Sequence, residues 1–235
     1  MRNSSLAAAC AAGILAGACS SAALAEAALG VSDPESYLMT EAEEIALSRS
    51  AAPEAVSADA SILVLKADGT YATTIEGTNG WTCFTGRSWT GPARFTDGKR
   101  VWSESNFDPN IKAPQCFNAA AAQSLLEIHR IATRHFMQGA SVTEVDLAIG
   151  ESLTTGAVAM PGEGAMSYMF SPHQVLTPDG GRFHPHVMLY MPYVTQESYG
   201  RGSPMQGVPM VTEGGSIFAT VVILSPKWSD GTPAG

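Results

Sequence analysis

The chain reads as an α+β protein: a mostly antiparallel sheet, two consecutive helices at about 119–138 and 142–153 packed on one face, and one disulfide. Three observations carry that reading. Strand-like runs parted by Asp-Gly and Asn-Gly come first, two amphipathic stretches with helix caps follow, and strand-like runs return towards the C-terminus. Strands and helices segregated along a chain in this way favour an antiparallel sheet over alternating β-α-β units.

Residues 1–25 have the layout of a secretory signal peptide. Arg2 is their single basic residue, an Ala/Leu-rich run follows, and Ala23-Leu24-Ala25 precedes Glu26, so cleavage is expected after Ala25. The apolar run is too short and too small-sided to span a membrane. Leu15-Ala16-Gly17-Ala18-Cys19 offers a lipoprotein alternative, but Ala16 occupies the place usually held by leucine. Membrane attachment is therefore expected only if Cys19 is lipidated. Cleavage after Ala25 removes Cys10 and Cys19 and leaves Cys83 and Cys116, which in an oxidising compartment are expected to form a disulfide. A redox or metal-binding thiol pair would call for Cys-x-x-Cys spacing, which they lack. These features predict a secreted or periplasmic protein.

Residues 26–60 form an N-terminal helix and linker ahead of a single α+β domain over 61–235. Thr40 and Glu43 make a capping box for a helix running to about Ser50, which Ala51-Ala52-Pro53 ends. Leu38, Ile45 and Leu47 are the large aliphatic residues on and just before this helix, so loose packing is expected. The domain opens with Ile62-Leu-Val-Leu65. Asp68-Gly69 and Asn79-Gly80 then separate it from Tyr71–Glu76 and Trp81–Ser88, which predicts a three-stranded meander. Residues 89–117 carry Pro92, Gly98, Pro109 and Pro114 and read as a long ordered loop held by the cysteine bridge.

Asn118 caps the first long helix, whose Ala121, Leu125, Ile128, Ala132 and Phe136 form a buried stripe up to the Gly139 stop. Ser141 and Glu144 cap the second, with Val142, Val145, Ile149 and Leu153 on its apolar side. His129 and His135 point in different directions on the first helix and cannot chelate one ion. With Glu127 and Arg130 beside it, His129 is placed on an exposed polar face. Ala165–Ser171 and Phe183–Tyr193 are read as strands, Val194–Gly215 as a surface loop, and Ser216–Ser225 as a buried strand.

The formal net charge of −9 argues against nucleic acid, whose phosphates need clustered Lys and Arg. Asp97, Glu104 and Asp108 lack EF-hand spacing, and Gly200-Arg-Gly-Ser-Pro204 lacks the context and ending of a P-loop. Ser167 or Ser171 with a histidine and Asp179 would make a nucleophilic triad only in a geometry that no Gly-x-Ser-x-Gly turn announces. Met166–Tyr193 is the richest stretch. Strand alternation puts His184, His186, Met188 and Tyr190 on one face, and two imidazoles at i and i+2 can converge on one ion. With Met166, Met169 or His173 beside them the ligands would mix nitrogen and soft sulfur, which suits copper. Zinc is the other candidate. Methionine also fills irregular cores without any metal, and no cupin-like carboxylate follows His184-Pro185-His186.

Glu76-Gly-Thr-Asn-Gly80, Ala113-Pro-Gln-Cys-Phe-Asn118, Met166-Ser-Tyr-Met169, Pro185-His-Val-Met188, Gly202-Ser-Pro204 and Lys227-Trp-Ser-Asp-Gly231 together resemble a group of secreted bacterial proteins without an assigned activity. The resemblance runs from about residue 61 to the C-terminus. It implies a signal peptide and one compact domain. The group's pattern has a tryptophan before x-Pro-His and leaves x open; Phe183 and His184 stand there, which makes His186 the stronger site residue. The expected role is a binding or structural module of unknown ligand, with no cofactor and no catalytic motif. The alternative is a copper or zinc protein, or a metal-dependent enzyme, centred on His186, His184 and His173.

Overall fold

The computed structural model describes residues 29–90, 94–96 and 99–235. The expected leader with its cut after Ala25, the lipidation alternative at Cys19 and the loop acid Asp97 lie outside them. Strands β1 (Ser61–Leu65), β2 (Tyr71–Ile75), β3 (Thr82–Gly86), β6 (Ala113–Phe117), β7 (Met166–Met169), β8 (His186–Tyr190), β9 (Met210–Thr212) and β10 (Thr220–Leu224) form one sheet in the order β2-β1-β3-β6-β7-β8-β10-β9. β4 (Arg94–Thr96) and β5 (Lys99–Val101) pair as a separate hairpin. Only β1 and β3 run parallel; the other neighbours in the large sheet are antiparallel.

That parallel pair corrects the expected meander. β1 and β2 do make a hairpin around Asp68-Gly69, where Gly69 has φ +83° and the Thr70 N–H donates to Asp68 Oδ1 at 2.9 Å. The chain then crosses beneath the start of β1 and enters the sheet on its far side. Gly77 makes that crossing possible, because a Cβ there would lie 2.1 Å from the backbone nitrogen of Ser61. Asn-Gly tolerates a tight turn but does not choose which neighbour the next strand joins.

Alternation divides the sheet into two faces. Ile62, Cys83 and Cys116 share one with Ala51, Ala52 and Ala60, while Leu63, Leu65, Phe84 and Phe117 face the long helices. Helix α1 (Glu41–Arg49), with its Thr40–Glu43 capping box, and the single turn α2 (Glu54–Ser57) lie on the first side. The expected disulfide is present and joins Cys83 to Cys116, directly opposed on β3 and β6. α1 is docked rather than loose. Ser48, Ala51 and Glu44 are fully buried, Ser48 Oγ meets Thr85 Oγ1 at 2.9 Å, and Glu44 Oε1 accepts from Arg87 Nη2 at 2.9 Å and from the Leu65 N–H at 3.3 Å. Small residues and one ion pair carry the interface, so a tally of large aliphatic residues underestimates it.

On the opposite side the expected pair of helices is present. Asn118 caps the first through the Ala121 N–H, and the helix proceeds as α3 (Ala119–Ala121), a π-helical segment Ala122–Leu126, and α4 (Glu127–Met137). Gly139 ends it at φ +82°, and Ser141 with Glu144 caps α5 (Val142–Thr154). Ile128, Ala132 and Phe136 press on Leu63, Phe84 and Phe117 beneath.

The loop expected over 89–117 ends in a buried inner strand, β6. Pro114 fits because β7 pairs only with Cys116 and Phe117, leaving one side of the strand open beside the proline. The C-terminal strands are shorter than the sequence suggests, and Met210–Thr212, expected as loop, forms the edge strand β9.

Candidate functional site

One half of the helix-facing side of the sheet borders a hollow. Between α4, α5 and strands β7, β8, β10 and β9 lies a cavity of about 1050 Å³, at the upper end of the roughly 300–1,000 Å³ usual for small-molecule sites. Register explains its floor. Met169 on β7 stands opposite His186 on β8, which stands opposite Leu224 on β10; one row further along, Ser167, Met188, Val222 and Met210 follow one another across the four strands. Gln115 precedes Cys116 on β6 as Met169 follows Tyr168 on β7, so Gln115 belongs to the His186 row.

The helices supply the opposite wall through Leu125, Ile128, Ile149, Gly150 and Leu153. Leu147 is also in the lining although its residue is 67% exposed, which marks the solvent side. A third wall comes from Leu176–Phe183, a loop held in place by several bonds. Val175 and Lys112 exchange backbone hydrogen bonds at 2.8 and 3.0 Å, and Gln174 Nε2 donates to the Phe183 carbonyl at 2.5 Å. Arg182 donates to the Pro172 carbonyl at 2.8 Å, with its guanidinium 5.5 Å from the Trp228 ring centre.

Five threonines contribute hydroxyls to a lining whose surface is mainly apolar, and a few further polar side chains join them. Burial pushes the Tyr190 phenol up, the Glu213 carboxylate adds to the effect, and the hydrogen bond with Ser167 Oγ at 2.7 Å opposes it. Tyr190 therefore acts as a neutral hydroxyl. His186 is 5% exposed, and its Nδ1 lies 2.7 Å from the His184 carbonyl. A carbonyl oxygen only accepts, so Nδ1 carries the proton and Nε2 has a free lone pair. Burial lowers the His186 pKa to about 4, against which the bond to His184 works, and the ring is neutral at pH 7. Asp146 accepts from Trp102 Nε1 at 3.1 Å, and the His129 ring lies tilted against Phe84 and Phe117, with centroids 5.8 and 5.9 Å away.

Of the three expected metal-site histidines, only His186 lines the cavity. β8 begins at His186, so the alternation that would aim His184 with it does not extend that far; His184 contributes its carbonyl and rests against Phe183. His173 is exposed on the preceding loop, where it bears electrostatically on Asp230. Among the described residues no group of three or more His, Cys, Asp or Glu side chains is placed to hold a metal ion. The triad members are separate too. Ser167 is engaged with Tyr190, Ser171 with Ser50 at 2.6 Å, and Asp179 with Thr177.

Alternation makes His186, Met188 and Tyr190 legible as one face of a strand, whereas no motif marks Gln115, Gly150, Arg182 or Glu213. The charged neighbours Glu127 and Arg130 suggest an outward-facing His129, whereas its residue lines the cavity. Its spacing from Leu125 and Ala132, four before and three after, puts it at the border of the buried stripe, and that spacing was the available signal. No family model matches this chain, and neither a curated protein nor a solved structure does so.

Proposed function

We propose that this is a secreted or periplasmic binding protein whose cavity takes up an apolar small molecule. The observation that carries the reading is the cavity itself: about 1050 Å³ with a lining that includes three methionines and four leucines, between the helix pair and the C-terminal strands. An apolar hollow of that size exposes surface that water wets poorly, and a ligand that covers it gains the free energy of removing that surface from water. The Cys83–Cys116 disulfide supports an oxidising compartment. No helix among the described residues is long and apolar enough to cross a membrane.

Gly150 supplies the test. It lines the cavity from α5, and a Cβ built on it meets nothing within 4 Å. Nile red should bind the wild-type protein saturably at one per chain with a blue-shifted emission. Gly150→Phe should weaken that binding at least about tenfold while the melting temperature holds or rises, since glycine is the poorer helix residue. Equal binding by the two proteins would remove the basis for this reading.

A further inference from the structure

Two buried polar side chains stand on the apolar floor of the cavity with hydrogen-bonding capacity to spare. The His186 ring is anchored through Nδ1, and the Gln115 residue is 3% exposed. Among the described residues neither His186 Nε2 nor the Gln115 side-chain amide has a protein partner. Both residues line the cavity and lie in one row of the sheet with Met169 between them. Both groups face the cavity, and an occupant that displaces water from them must replace the hydrogen bonds that water makes, so the pair favours a molecule that brings a polar group of its own.

The kind of partner follows from the groups present. Nε2 of the neutral ring can only accept, whereas the Gln115 amide can both donate and accept. The cation in the lining, Arg182, is already engaged with the Pro172 carbonyl and the Trp228 face. The Asp146 and Glu213 carboxylates also line the cavity, the first exposed and the second half-buried, and their like charge repels an anion. A carboxylate or phosphate head therefore finds neither a donor at Nε2 nor a free countercharge. A hydroxyl group fits, because it gives one proton and accepts another.

Resting on the reading of the cavity as a ligand site, we infer that its occupant is an apolar molecule bearing a neutral hydroxyl group, which donates to His186 Nε2 and accepts from the Gln115 amide. The occupant belongs to the class of polycyclic or long-chain alcohols rather than to fatty acids.

Fluorescence titration at pH 7.5 with 1-methylpyrene, 1-pyrenemethanol, 1-pyrenecarboxylate and 1-pyrenemethylamine tests this directly. 1-Pyrenemethanol should bind about tenfold more tightly than 1-methylpyrene, a ratio equal to about 1.4 kcal/mol, and the carboxylate should bind most weakly. His186→Leu should bring the alcohol to the affinity of the methyl compound without changing the latter, while His186→Gln, which restores an acceptor, should keep part of the preference. The inference is overturned if alcohol and methyl compound bind the wild-type protein equally, if the carboxylate or amine binds most tightly, or if the preference survives His186→Leu. Failure of every pyrene to bind overturns the cavity reading itself, and the inference with it; equal binding of the methyl and hydroxymethyl compounds overturns the inference alone.

Discussion

The two halves of one sheet are covered differently. Strands β1, β3 and β6 are packed on both sides: α1, Ala51, Ala52 and the disulfide on one, α4 with its aromatic contacts on the other. β6 is buried at every residue, while the three middle residues of β8 are only partly covered. Strands β8, β10 and β9 face a hollow with the same kind of apolar side chains. Burial of hydrophobic residues therefore serves two ends in this molecule, cohesion in one half and a receptive surface in the other. The difference lies in what faces the strands, not in their composition.

The contrast can be broken at its strongest point first. Arg87→Met leaves the Glu44 carboxylate buried and unpaired, in a site where burial already raises its pKa against the pull of Arg87. The expected loss is about 3–5 kcal/mol in urea unfolding, and the double variant Glu44→Leu/Arg87→Met should recover most of it. Core truncation separates the halves more directly. Phe84→Ala, at a site with no exposure between Tyr71 and Phe117, should cost about 3–5 kcal/mol. Met188→Ala, whose side chain borders space that is already empty, should cost about 1 kcal/mol or less and show its main effect on ligand affinity. Comparable losses at the two positions would mean the hollow is not open.

The disulfide belongs to the filled half. Replacing Cys83 and Cys116 together by Ala should lower stability by roughly 3–4 kcal/mol for a closed loop of this size, with Nile red affinity unchanged at temperatures where the fold is intact. In the hollow half, His186 predicts a pH effect of definite sign. Its pKa is about 4 when folded and about 6.5 when unfolded, so below pH 6.5 the unfolded chain takes up a proton that the native ring does not. Stability from this residue is present above about pH 6.5 and falls as the pH drops towards 4, by at most roughly 3 kcal/mol. The wild-type stability minus that of His186→Leu, measured by urea titration across that range, should show the slope. The smallest effect is a gain: Gly150→Ala should stabilise by about 0.5–1 kcal/mol, since its Cβ enters open space.

What the sequence discloses follows from how local each cause is. Capping boxes and Gly139 act within a few residues, so α1, α4 and α5 are readable, and period-two alternation places His186, Met188 and Tyr190 together. The placement of β3 beside β1, the docking of Glu44 on Arg87 and the entry of Ala113–Phe117 into the sheet depend on partners distant in the chain. Pro114 argued locally against a strand and was outweighed by a neighbour that stops short of it. The site was half legible for the same reason. The floor residues of β8 follow from alternation, but nothing in residues 166–193 announces that a helix pair stands off them and leaves a space.

Amide hydrogen exchange, with and without a saturating apolar ligand such as Nile red, tests the central claim most directly. Without ligand, β1, β3 and β6 should exchange most slowly and β8, β9 and β10 faster. Ligand should slow exchange in Met166–Met169, His186–Tyr190, Met210–Thr212 and the loop 176–183, leaving the β1 and β3 amides unchanged. Uniform protection across the sheet before ligand is added, or ligand-induced protection confined to Ser61–Gly86, would contradict the division into a filled half and a receptive one.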